Sequence, residues 1–143
     1  MKINFEGIIR NLESKANSIY RDNEKLRNLI IKVKDKIDNN KELREIFEEI
    51  KLLIELIRDW LKGDYKELSQ TSVVLVIISF IYLLNPFDLI PDFIAGGFVD
   101  DIAVITYIVK KIQEELKAYK RWRNREETAE IIEIQGDVMD IDE

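Results

Sequence analysis

Apolar residues recur along this chain at steps of three and four, which is the spacing of helices that each bury one face. Over residues 3–20 the apolar positions are Phe5, Ile8, Ile9, Leu12, Ala16 and Ile19. The pattern resumes at Leu26, Leu29, Ile30, Val33 and Ile37. Between the two runs, Arg21-Asp22-Asn23 is either a break or an exposed turn of one long helix. Asp38-Asn39-Asn40 is the firmer boundary, because Asn both terminates and caps helices. A third helix is expected over 41–61, with a wide stripe of Leu43, Ile46, Phe47, Ile50, Leu53, Ile54, Ile57 and Leu61 opposite Lys, Arg and Glu. Gly63-Asp64 is its expected stop. The link 64–70 is short and polar, so the next helix should lie antiparallel nearby.

Residues 72–84 break the amphipathic rule, being almost continuously apolar. Their many β-branched side chains make a strand the competing assignment. A helix is preferred, because every other segment reads as helical and no partner strand is visible. A helix apolar on all sides belongs at the centre of a core or in a membrane. This one is shorter than the roughly 20 residues needed to span hydrocarbon, so a buried central helix is the preferred reading. Residues 102–125 form the last strongly patterned helix, with Ile102, Ile105, Val109, Ile112, Leu116 and Tyr119 on its buried face and Val104 and Ile108 widening it. Its end is basic and aromatic: Lys117, Tyr119, Lys120, Arg121, Trp122 and Arg123. From Glu126 onward there is no Lys or Arg, and acidic residues alternate with Ile, Val and Met.

The two apolar helices are joined by a segment that holds both prolines and four aspartates. Asn85-Pro86-Phe87-Asp88 reads as a helix start, with Asn as N-cap, Pro at the first helical position and Asp reaching back to a free N–H. Pro91 limits that helix to about one turn by disfavouring helical geometry at Ile90. Gly96-Gly97 permits a tight loop, and Asp100-Asp101 favour the positive end of the following helix. Capping thus accounts for all four acids. The alternative gathers Asp88, Asp92, Asp100 and Asp101 into an oxygen-rich site for Mg²⁺ or Ca²⁺.

The run 82–101 resembles the signature of the YkvA-like proteins, a small helical family of unassigned function. The resemblance is carried by Tyr82, Pro86, Asp88, Leu89, Ile90, Pro91, Asp92, Phe93, Ile94, Gly97, Asp100 and Asp101. Asp59-Trp60 ahead of Gly63-Asp64-Tyr65-Lys66 is similar to the family's lead-in, and Leu116-Lys117-Ala118-Tyr119-Lys120-Arg121-Trp122 to its exit. It covers about 43–123 and leaves 1–40 and the acidic tail outside. Ala95 stands where the family often has proline, and the Gly-Gly loop is shorter than its common form, so the loop geometry departs from the pattern. The resemblance implies a helical fold and association of some members with membranes. It implies no agreed activity.

Composition narrows the chemistry. The 143 residues suffice for one real core. There is no cysteine and no histidine, which removes disulfides, thiolate chemistry, the commonest general base and the commonest zinc ligand. The net charge of −6 argues against nucleic acid as a partner. No Gly-rich phosphate loop follows a strand, and no cofactor or small-molecule substrate is evident. The N-terminus shows no secretory signal pattern.

These features predict an all-α fold: a small helical bundle with a central apolar pair, 72–84 and 101–125, joined by the Asp/Pro turn and covered by the helix 41–61. Residues 1–40 are expected to form a helical arm or hairpin that packs on the core or pairs with another copy. Residues 41–125 form the YkvA-like domain, and 126–143 a flexible acidic tail. The expected role is a non-catalytic interaction module, cytoplasmic, with a protein partner (itself or another) and with a membrane surface as a further option. The competing roles are a metal-binding protein or metal-dependent hydrolase on the aspartates, and a shallow membrane hairpin over 73–109. The candidate surface is Lys117, Tyr119, Lys120, Arg121, Trp122 and Arg123, either at the headgroups of an anionic membrane or as a solvated helix end favoured by the dipole.

Overall fold

A computed structural model describes residues 4–39, 46–84 and 99–141, with side chains described through 4–39, 46–84 and 103–129. The described residues form six α-helices and no strand: α1 (Phe5–Tyr20), α2 (Asn23–Asn39), α3 (Phe47–Lys62), α4 (Gln70–Leu84), α5 (Val99–Lys111) and α6 (Gln113–Ile141). Residues Met1–Ile112 make one compact unit and Gln113–Glu143 a second.

The first unit is organised around α4, which packs against α1, α2, α3 and α5. All twelve residues from Ser72 to Leu83 are buried. Full burial of one Val, Ile or Leu stabilises the fold by about 1.5–3 kcal/mol, so this helix is the core's main source of stability. Its β-branched residues are poor helix formers by themselves, and burial on every side overrides that weakness. Ser69 starts the helix, its Oγ accepting from the Ser72 N–H at 3.2 Å, while buried Ser79 donates to the Val76 carbonyl at 2.6 Å.

The surrounding helices bury the faces that their spacing predicts. α1 buries Ile8, Ile9, Leu12, Ala16 and Ile19; α2 buries Leu26, Leu29, Ile30, Val33 and Ile37. Of the two roles open to these stripes, packing on the core is the one observed for α1 and α2. Arg21-Asp22 is a true break. Asp22 Oδ1 accepts from the N–H groups of Glu24 and Lys25 at 3.1 and 3.2 Å, capping α2. Asn4 caps α1 through the Gly7 N–H at 3.0 Å, and a Cβ on Gly7 would come within 2.7 Å of Asn4 Nδ2.

α3 buries Ile50, Leu53, Ile54, Leu56 and Ile57, with Ile46 just ahead of it. It ends at Gly63, whose φ of 80° lies in the left-handed region. The Gly63 N–H reaches the Trp60 carbonyl at 3.1 Å and the Asp64 N–H reaches Asp59 at 3.0 Å, so two terminal carbonyls are satisfied together. The link that follows is less polar in effect than in composition, since Tyr65 and Leu68 are both buried.

One expectation about the C-terminal third is corrected. The helix expected over 102–125 is interrupted at Ile112, although the Ile112 N–H still bonds the Ile108 carbonyl at 3.1 Å. The backbone of the acidic tail is helical through Ile141. Its backbone state follows from composition: Glu, Gln and Ala are good helix formers, and 126–135 contains neither Gly nor Pro.

Candidate interaction surfaces

Of the signature residues, Pro86, Asp88, Pro91, Asp92 and Gly97 lie outside the described residues, as does the turn they were expected to form. Asp100 and Asp101 fall in the first turn of α5 by their backbone. Among the described residues no group of three or more Asp, Glu, His or Cys is placed to hold a metal. What the structure does define is the departure point of the turn. On α2, the Lys36 ammonium donates to the Leu83 carbonyl in the last turn of α4. A cation there complements the negative end of the helix and satisfies one of its orphan carbonyls.

The basic, aromatic stretch on α6 splits by exposure. Lys117, Lys120 and Arg121 are exposed and, three and four residues apart, share one helix face. Lys117 pairs with Glu114 at 3.7 Å. Tyr119 is fully buried, as its place on the helix's apolar face predicts, and so is not part of the exposed surface. Its ring stacks on half-buried Trp122, with centroids 5.9 Å apart and planes at 23°. Arg123 lies over the same ring at 5.9 Å and pairs with Glu127 at 3.8 Å. The aromatic residues thus organise this helix turn, and the three exposed cations form its outer surface.

A second surface escaped the sequence reading. The start of α1 is clasped to α5: the Phe5 and Tyr107 rings stack at 4.5 Å, Lys111 Nζ pairs with Glu6 Oε1 at 2.5 Å, and the Tyr107 hydroxyl donates to the same oxygen. The hydrogen bonds from Lys111 and Tyr107 hold the Glu6 carboxyl below the usual glutamate range. The Tyr107 hydroxyl is raised because it donates to that carboxylate, and the Lys111 ammonium is raised by its hydrogen bond to Glu6.

The third surface is an open groove of about 810 Å³ between α1, α2 and the end of α4. Among the described residues, Ile19, Leu29, Ile81 and Leu84 supply apolar lining, Lys15, Lys25, Lys32 and Lys36 supply cations, and Asp35 is the one acid. Lys25, Lys32 and Lys36 fall on one flank of α2, beside its apolar stripe. Applying the helical period to the cations, as well as to the apolar positions, would have aligned them from sequence. Their meeting with Lys15 depends on how α1 and α2 pair, which spacing does not encode.

The fold and these surfaces define a class first: a small all-α protein built round one enclosed apolar helix. The comparisons with known proteins then give the family. Residues 72–107, which span α4 and most of α5, match the family described as "Protein of unknown function (DUF1232)". The chain is also similar to "Uncharacterized membrane protein YkvA" of Bacillus subtilis (strain 168), with 36% identity over 84 residues, 58% of this chain and 79% of that protein. No solved structure matches it. The chain belongs to this YkvA-like family.

Proposed function

We propose that this chain is a non-catalytic helical interaction module that works at the surface of a membrane. The observation that carries the reading is the enclosure of α4. The most apolar helix is covered from α1, α2, α3 and α5, so its apolar surface is committed to the fold and contact with a membrane falls to charged faces. No described helix is long and apolar enough to cross a membrane, and the relative's name as a membrane protein supports placement near one. The charge distribution is compatible. The eight acids of 126–143 exceed the whole net charge of −6, and the preceding residues hold 22 basic and 20 acidic side chains.

Cell fractionation of the full chain tests this. The protein should sediment with membranes and leave them in a high-salt wash, because charge contacts are screened by salt. A protein found wholly in the soluble fraction, with no partner recovered by pulldown, overturns the reading. So does a calorimetric heat of Mg²⁺, Ca²⁺ or Mn²⁺ binding that is lost in both Asp92→Asn and Asp101→Asn, which would move the function to a metal site.

A further inference from the structure

The groove between α1, α2 and the end of α4 carries more positive charge than its one hydrogen bond to the fold, from Lys36, accounts for. Among the described residues, Lys15, Lys25 and Lys32 line it together with a single carboxylate, Asp35. Among the described residues, no ion pair involves Lys15, Lys25 or Lys32. Like charges gathered in excess of their counter-charge repel one another, and an anion among them relieves that repulsion. Lys36 has a different task. By donating to the Leu83 carbonyl it offsets the negative end of α4, which would otherwise oppose an anion in the groove.

The lining distinguishes among anions. A free phosphate ester has no use for a floor of Ile19, Leu29, Ile81 and Leu84. A single-stranded nucleic acid is held by aromatic stacking, and among the described residues no aromatic side chain lines the groove. Ser18, Asn28 and Asn39 add hydroxyl and amide groups at the rim, suited to the hydroxyls of a headgroup. A volume of about 810 Å³ falls within the usual range for ligand sites, roughly 300–1,000 Å³. We propose that this groove receives an anionic phospholipid of the membrane surface, its phosphate between Lys15, Lys25 and Lys32 and the first part of an acyl chain on the apolar floor. The inference rests on the membrane-surface reading and names the site through which it operates.

The test is cosedimentation of the full chain with vesicles of phosphatidylglycerol in phosphatidylcholine, and with vesicles of phosphatidylcholine alone. The wild type should bind the first and not the second. Lys15→Gln/Lys25→Gln/Lys32→Gln should weaken binding at least about tenfold, since each lysine near an anionic surface contributes separately. All three side chains are exposed, so the variant should keep the wild-type circular dichroism and melting temperature. Lys51→Gln/Arg58→Gln/Lys62→Gln, three exposed cations of α3, is the charge-matched control and should bind within about twofold of wild type, having left the groove untouched. Equal binding by the groove variant, or no preference for phosphatidylglycerol, overturns the proposal. So does full competition by glycerol phosphate at the lipid's own concentration, which would make the ligand a soluble phosphate ester. If the groove variant still fractionates with membranes in cells, the groove assignment fails and the surface reading stands. If the wild type does not fractionate with them, the surface reading itself fails.

Discussion

α4 and α6 are both helices, and they are helical for opposite reasons. α4 is built largely from Val and Ile, which cost helix stability in isolation. It is helical because four neighbours bury it. α6 is rich in Glu, Lys, Arg and Ala and carries its own short-range support, including the Glu114–Lys117 and Arg123–Glu127 pairs and the Tyr119–Trp122 stack. One helix depends on its surroundings throughout, whereas the other adds local support of its own to the burial of Leu116 and Tyr119. Sensitivity to substitution should therefore fall steeply from α4, through the ends of its covering helices, to the exposed face of α6.

The largest effect belongs at the centre of α4. Ile77 is fully buried, and Ile77→Ala should cost about 2–5 kcal/mol in chemical denaturation. A loss below 1 kcal/mol, by the same scale, would break the contrast by showing that α4 does not depend on its surroundings. Next comes the end of a covering helix. Gly63 has a φ of 80°, a conformation that costs a residue with a Cβ about 1–2 kcal/mol, so Gly63→Ala should lower stability by that amount. On α6, Lys117→Ala removes an exposed pair and should change stability by no more than about 0.5 kcal/mol.

The smallest effect sharpens the comparison by pH. The lowered Glu6 carboxyl adds stability above its ordinary range, and this is lost as pH falls through the lowered value. The raised Tyr107 and Lys111 add stability below their ordinary ranges, and this is lost as pH rises through their raised values. Thermal melts of wild type and Glu6→Gln should differ by a constant, small amount across neutral pH and converge in acid. A difference that changes between pH 6 and 8, well inside both limits, would refute the clasp as the cause.

Much of the fold was legible because amphipathic spacing encodes it directly. Every apolar position read in α2 is buried, and so is every one in α1 apart from half-exposed Phe5. The Gly63 stop was equally plain, since left-handed geometry selects glycine. What spacing cannot encode is which helices meet. The packing of α1 and α2 on α4, the Glu6–Lys111 contact across 105 positions and the lysine groove all arise from pairings remote in sequence. Tyr65 and Leu68 were missed because a link has no period to reveal its buried side chains. The interruption at Ile112 has no glycine or proline to announce it. The Asp/Pro turn, the most distinctive stretch in the sequence, lies outside the described residues, and its capping and metal readings stand as expectations.

The covering of α4 reaches beyond this chain. The family match spans 72–107, whereas α1 and α2, which close two sides of that helix, precede it. A protein carrying only the shared stretch would leave a broad oily flank bare, and such flanks do not stay bare in water. In such a protein the same beam would need another roof, from elsewhere in its chain, from a neighbour or from lipid.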